Sequence, residues 1–255
     1  MKLDGRICVV TGAGRGIGEA ITHRFTDEGA TVAVLDLDLD AARGVAAVAN
    51  GSAHQCDVSD RASVEAAVAD VLDTHGRIDV LVNNAGVALA GPSETFSDAD
   101  WDASIGIMQT GVFLCSQVVG RHMLERKAGT IVNISSINAW EAFPMRLAYC
   151  AAKAAVVAMT EVLAIEWADR GIRVNAVAPG VTRTALVQKG IDEGVVDVVR
   201  YQARTPMHRF GEPDEIARAV LWLANDEDSS FVTGTTLTVD GGWTAQGWIV
   251  KDTGS

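Results

Sequence analysis

No Cys-x-x-Cys pair occurs in this 255-residue chain, whose four cysteines are Cys8, Cys56, Cys115 and Cys150. Thiol redox motifs and paired-cysteine zinc sites are therefore excluded. The cysteines read as small buried hydrophobes in a reducing compartment. The five histidines (His23, His54, His75, His122 and His208) lie far apart with no partner cysteine. They read as surface or packing residues, and no metal is expected. No polybasic run is present, and 33 acidic against 21 basic residues leave a net charge of -12. Such a surface repels phosphate backbones, which disfavours nucleic acid and anionic membranes as partners. No uninterrupted apolar run of membrane-spanning length is found. Met1-Lys2-Leu3-Asp4-Gly5 runs straight into a strand, so no signal peptide is expected and the location is expected to be cytoplasmic. Repeats, low-complexity tracts and linkers are absent too. What remains is 48% hydrophobic and 21% charged, enough apolar surface for one domain over residues 1–255.

Apolar β-type runs alternate with amphipathic stretches along the whole chain. Strands are expected at Ile7–Val10, Thr31–Leu35, Val80–Val82, Thr130–Ile134, Arg173–Ala178 and Thr235–Val239. Helices are expected at Ile17–Glu28, Ala41–Val48, Ala62–Leu72, about Asp98–Arg126, Leu147–Ala168 and Asp214–Leu223. Asp60 and Ser97 stand where helix caps belong. Strands apolar along their whole length, separated by helices, indicate an α/β fold whose parallel sheet is covered on both faces. The segment between Pro179 and Pro213 breaks the rhythm with Gly190, Gly194, Pro206 and Gly211. It is read as a substrate lid over about residues 185–212, the alternative being a surface excursion without function.

Thr11-Gly12-Ala13-Gly14-Arg15-Gly16-Ile17-Gly18 follows the first strand and opens the first helix. Glycines there let backbone N–H groups approach a pyrophosphate at the positive end of a helix. The strict G-x-G-x-x-G spacing is absent. Gly12, Gly16 and Gly18 form G-x-x-x-G-x-G instead, a weak signal alone, for which a tight structural turn is the alternative. Asp36 at the end of the second strand strengthens it, because its carboxylate can accept the adenosine ribose hydroxyls and would repel a 2′-phosphate. Arg15 argues weakly the other way, as a cation that could meet that phosphate. Asp36 would crowd the phosphate directly, so NAD is expected over NADP. Asp57, after the third strand, faces adenine or caps a turn.

Tyr149 and Lys153 are spaced i, i+4, which stacks them on one helix face. A phenol titrates near pH 10, too high for a good base at neutral pH, and a nearby ammonium is expected to lower it. Ser136, after the fifth strand, can hydrogen-bond a substrate oxygen as charge develops on it.

With these residues in place the sequence resembles the short-chain dehydrogenase/reductase family, in its Tyr-x-x-x-Lys branch. The resemblance runs from Lys2 to about Trp243. It is carried by Thr11 to Gly18, Asp57-Val58, Asn83-Asn84-Ala85-Gly86, Asn133-Ile134-Ser135-Ser136, Tyr149-x-x-x-Lys153, Pro179-Gly180-x-Thr182-x-Thr184 and Asp240-Gly241-Gly242. It implies a doubly wound Rossmann fold with a seven-stranded parallel sheet, usually in a homotetramer. It further implies Tyr149 as acid/base, Lys153 holding the nicotinamide ribose and lowering the phenol pKa, and Ser136 orienting the carbonyl. Ser135 is the other serine available, and spacing to Tyr149 favours Ser136. Asn83, Ala85 and Gly86 are expected beside the cofactor, and Pro179, Gly180, Thr182 and Thr184 near its carboxamide or pyrophosphate. One departure stands out. The family's Asn-x-x-Gly in the long helix after Trp101 reads Met108-Gln109-Thr110-Gly111 here. Methionine cannot hold the relay water that the asparagine anchors near the lysine.

The expected activity is NAD-linked interconversion of a secondary alcohol, such as a polyol or sugar, with a ketone. A 3-oxoacyl thioester reductase using NADPH is the enzymatic alternative, disfavoured by Asp36 and by the acidic surface. A cofactor-binding member without catalysis is the third reading. Asn138, Trp140, Glu141, Phe143, Met145 and Arg146 are candidate substrate contacts or, equally, part of a subunit contact. The apolar tail of Trp243, Trp248, Ile249 and Val250 suggests packing against a neighbouring subunit.

Overall fold

The computed structural model describes residues 1–49, 51–192, 194 and 196–247. Its centre is a seven-stranded sheet in the order β3-β2-β1-β4-β5-β6-β7. The strands are β1 (Ile7–Thr11), β2 (Thr31–Asp36), β3 (Ser52–Gln55), β4 (Val80–Asn83), β5 (Gly129–Ile134), β6 (Ile172–Pro179) and β7 (Thr236–Val239). Every neighbouring pair is parallel, with Val9 opposite both Ala33 and Leu81. The β-branched run Ile7-Cys8-Val9-Val10 is buried throughout because helices cover both faces, as its unbroken hydrophobicity implied. One face carries α1 (Gly16–Asp27), α2 (Leu39–Val48) and α9 (Pro213–Ala224), whose Ile21, Phe25, Val45 and Val220 join Val10 and Val34 in one core. The other carries α3 (Arg61–His75) and α5 (Gly111–Arg126), whose Val68, Val71, Val119 and Met123 pack on Val9, Leu81 and Ile131. The helix α6 (Leu147–Trp167) lies beside α5, with Ala164 and Trp167 in that second core. Asp60 and Ser97 do cap α3 and α4 (Asp98–Ile105), accepting from the amides of Ala62 and Asp100.

Strand order reverses between β1 and β4. The crevice that this reversal opens lies at the carboxyl ends of those two strands, where open α/β sheets take their ligands. The glycine turn leaves β1 there, and Asn83 to Gly86 leaves β4.

The structure differs from the sequence expectations in three places. β3, with the sequence Ser-Ala-His-Gln, is an edge strand too short and polar to register as an apolar run. The long helix after Trp101 is interrupted between α4 and α5 by a π-helical turn, Gly106–Thr110, which carries Met108. And although no uninterrupted apolar run spans a membrane, two helical segments reach that length and apolarity on average. They are Asp98–Arg126 and Leu147–Arg170, within which 18-residue stretches have mean hydropathies of 1.3 and 1.6. Both contain the helices that pack on the second face of the sheet, which explains their apolar content. The stretch read as a lid holds α7 (Ala185–Asp192) and α8 (Val198–Arg204), and the short α10 (Asp226–Ser229) follows α9. Trp243 is buried, while Trp248, Ile249 and Val250 lie outside the described residues.

Candidate active site

The glycine turn is built against the segment after β4. Gly12 has φ +60°, and a Cβ on it would fall 2.7 Å from the Ala85 backbone. A Cβ on Gly18 would fall 2.4 Å from the Gly12 carbonyl and 2.5 Å from the Asn84 amide nitrogen. No side chain fits at either place, so bare backbone is left at the amino end of α1. Asn84 Nδ2 fastens the turn by donating to the carbonyls of Thr11 and Gly12, both at 2.9 Å. Thr11 Oγ1 accepts in return from the amides of Asn84 (3.0 Å) and Ala85 (3.1 Å). The Thr184 methyl stands 3.8 Å from where a Gly16 Cβ would be, so the chain after β6 closes the same cradle. The Thr184 hydroxyl accepts from the amide of Val187 at the start of α7. Ile17, half-buried, packs against the first core.

At the outer end, Asp36 Oδ2 accepts from the Gly14 amide at 2.8 Å and Oδ1 from the Asp38 amide at 3.0 Å. A Cβ on Gly14 would come within 2.9 Å of that carboxylate. Asp36 therefore stands directly against the glycine turn, at the position expected of an adenosine ribose acceptor.

Other expected cofactor residues are placed differently. The Asn83 side chain is buried inside the protein, where its Nδ2 donates to Ser116 Oγ (2.9 Å) and Asn133 Oδ1 (2.8 Å). Asn133 Nδ2 in turn donates to Thr160 Oγ1 at 2.9 Å. This chain ties β4, β5, α5 and α6 together, so Asn83 positions the segment after it. Asp57 accepts from the Ser59 amide (2.9 Å) and hydroxyl (2.6 Å), the turn-capping alternative for that residue. Val58 is buried in the second core, 2.8 Å from where a Gly111 Cβ would be. Gly180 is pressed against Asp240, and its amide donates to the Val239 carbonyl at 2.9 Å, just beyond Pro179 at the end of β6. The buried Thr182 donates to the Gly180 carbonyl at 3.1 Å and pairs with Gly211.

Ser136, Tyr149 and Lys153 do come together. The backbone at Ser136 is extended, with φ -168° and ψ 158°, so Ser135 and Ser136 point in opposite directions. Ser135 Oγ donates to the Lys153 carbonyl at 3.0 Å. Ser136 Oγ accepts from the Asn138 amide at 3.1 Å, and the Ser136 side chain stands close enough to Tyr149 to oppose the rise of its pKa. The choice between the two serines is thus settled by direction. Lys153 Nζ donates to the Ile134 carbonyl at 2.7 Å and lies 5.7 Å from the centre of the Tyr149 ring. Burial raises the phenol pKa above its ordinary value, opposed by the neighbouring Ser136 and the positive charge of Arg146. Burial also pushes the Lys153 ammonium down to about 8.

The fully buried Met108 faces Gly86, whose Cβ position is 3.7 Å from Met108 Cγ and 3.8 Å from its sulfur. Thioether thus fills the place where a polar side chain was expected, beside the segment that follows β4. A thioether is at most a weak hydrogen-bond acceptor. Met108→Asn is expected to raise the alcohol-oxidation rate severalfold at neutral pH and to shrink its solvent isotope effect. An unchanged isotope effect would show that the side chain carries no part of the proton path.

An aromatic cluster joins segments far apart in sequence. Phe143 lies 6.2 Å from Tyr201 of α8 and 5.6 Å from Trp243, and Tyr201 lies 5.8 Å from Trp243. Arg204 stacks on Trp243 at 4.9 Å and donates to its carbonyl at 2.9 Å. Tyr201 and Arg204 carried no periodic or motif signal. Among the other candidate substrate contacts, Trp140 and Met145 are exposed, Glu141 and Arg146 half-buried, and Asn138 is held by the Glu141 carbonyl at 2.8 Å.

A family model described as enoyl-(acyl carrier protein) reductase matches residues 12–244. The chain is similar to a short-chain type dehydrogenase/reductase of known structure from Mycobacterium marinum, at 31% identity with a TM-score of 0.90, covering 96% of this chain and 97% of that one. The chain belongs to the short-chain dehydrogenase/reductase family. Curated relatives of this family member include D-threitol dehydrogenase from Mycolicibacterium smegmatis, 44% identical over 95% of this chain and 94% of the relative. They also include NAD-dependent glycerol dehydrogenase from Listeria innocua serovar 6a, 40% identical over 95% of each. The chain is accordingly an oxidoreductase of the alcohol dehydrogenase/ketone reductase type that uses a nicotinamide cofactor.

Proposed function

We propose that the chain is an NAD-dependent dehydrogenase that interconverts a small secondary alcohol, of polyol, sugar or similar hydroxylated type, with its ketone. The observation that carries this reading is the convergence of Ser136, Tyr149 and Lys153, with Lys153 Nζ 5.7 Å from the centre of the Tyr149 ring. Gly12, Gly16 and Gly18 leave room for a pyrophosphate. Arg15, Ile17, Ala85, Gly86, Gly180 and Thr184 border the same cradle, and Asp36 takes the adenosine ribose. When bound, nicotinamide accepts hydride from the alcohol carbon or returns it to the ketone. Tyr149 Oη takes the hydroxyl proton during oxidation and gives it back during reduction. Ser136 Oγ accepts from the Asn138 amide, and its O–H is the donor offered to the substrate oxygen. Lys153 uses one of three N–H donors on Ile134, leaving two for a ribose hydroxyl and a water. The helices α7 and α8 form the proposed lid of a single domain, with Tyr201 and Trp243 as its aromatic wall. The relatives on threitol and glycerol support a polyol substrate.

A cytoplasmic homotetramer completes this reading, supported by the exposed Phe113 of α5 and Val162 and Ile165 of α6. The acyl thioester alternative draws support from the matching family model's description, but Asp36 and a net charge of -12 oppose NADPH and an acidic carrier. The test is cofactor and substrate choice in the wild-type protein. NAD is expected to bind at least about tenfold tighter than NADP, roughly 1.4 kcal/mol, and to be reduced with diols or sugar alcohols. Preference for NADP with turnover of a 3-oxoacyl thioester would replace the reading by its alternative. A sedimentation mass near the 26.8 kDa monomer would remove the tetramer.

A further inference from the structure

Asp38, two residues beyond the ribose acceptor, holds two groups that would otherwise attract an anion. Its Oδ2 lies 3.1 Å from the Arg15 guanidinium. Its Oδ1 accepts from the Ala41 amide at 3.1 Å, capping α2. The capping carboxylate thereby also offsets the positive end of that helix. Its own amide donates to Asp36 Oδ1 at 3.0 Å, which fixes it beside the ribose position. Arg15 is the one cation of the glycine turn, and its guanidinium pairs with this carboxylate.

We propose that Asp38 is a second cofactor-selecting residue, which disfavours a ribose 2′-phosphate by neutralising Arg15 and occupying the amino end of α2. The inference rests on the NAD reading of Asp36 and deepens it. Asp36 repels the phosphate directly, whereas Asp38 withholds the cation and the amide that would receive it. Removing the Asp38 charge leaves Arg15 free to pair with a phosphate.

Asp38→Asn isolates this effect, because asparagine keeps an oxygen for the Ala41 amide and loses only the charge. Binding of NAD and NADP is measured by titration calorimetry without substrate, at low salt and at about 0.5 M salt. The ratio of the NADP to the NAD dissociation constant is expected to fall at least about tenfold at low salt. High salt should shrink that change, and adding Arg15→Ala to Asp38→Asn should abolish it. Asp38→Ser, which also caps without charge, should repeat the result if the asparagine variant folds poorly. An unchanged ratio in both variants overturns the role of Asp38, and so does a gain that survives removal of Arg15. A wild-type protein that prefers NADP would instead overturn the reading of Asp36, and this inference with it.

Discussion

Tyr149→Phe is expected to lower kcat by about 10²- to 10⁴-fold, the range that a positioned acid/base contributes, while the NAD dissociation constant changes by less than about threefold. The variant deletes one oxygen and keeps the ring that Lys153 lies against. The neighbouring Ser136 Oγ remains held by the Asn138 amide. The serine therefore stays in place, and what is lost is proton transfer rather than docking. Steady-state rates in both directions, with NAD affinity measured separately, test this. The residual rate should also lose the wild-type pH dependence attributable to the phenol. A variant retaining more than about a tenth of the wild-type rate would show that another group carries the proton.

The same neighbourhood shows which parts of the site a sequence can carry. Gly12 and Gly18 are legible because the backbone approaches other backbone too closely for a side chain, at 2.7 and 2.4 Å, and only one residue type solves that problem. Tyr149 and Lys153 are legible because helical periodicity alone places them on one face. Asn83 is legible as a motif, while its hydrogen bonds to Ser116 and Asn133 depend on strand neighbours and a packed helix. Asp38 escaped notice because its meaning lies in a contact with Arg15 across two loops. Tyr201 and Trp243 meet only when α8 and the chain after β7 come together. Fold class follows from the apolar strands, but β3 needed the pairing of Ala33 with Ser52 and Asp36 with Gln55 to become a strand at all.

Lys153→Met is expected to abolish turnover, weaken NAD binding, and yet stabilise the cofactor-free protein below pH 8. The Lys153 side chain is buried, and its ammonium is held by one carbonyl, that of Ile134, at 2.7 Å. Burial depresses its pKa from 10.5 to about 8. Between those values the unfolded chain binds more protons at this lysine than the folded one, so its contribution to stability rises with pH. Above the unfolded value the lysine is neutral in both states and costs nothing. Below the folded value the full penalty is present, about 3 kcal/mol at 1.36 kcal/mol per unit. Methionine removes the charge and keeps most of the apolar stem, but leaves the Ile134 carbonyl without its donor, which costs about 1 kcal/mol. The net gain of about 2 kcal/mol corresponds to roughly 4–8 °C in Tm for a chain of this size. Melting the two proteins at pH 7 and at pH 10 isolates the lysine, because the other titrating groups are common to both. The variant should lead clearly at pH 7 and less at pH 10. A wild-type protein more stable than the variant at pH 7 would show that the buried ammonium is compensated without cofactor. Lys153 would then be part of a structural network rather than a charge kept at a cost for function.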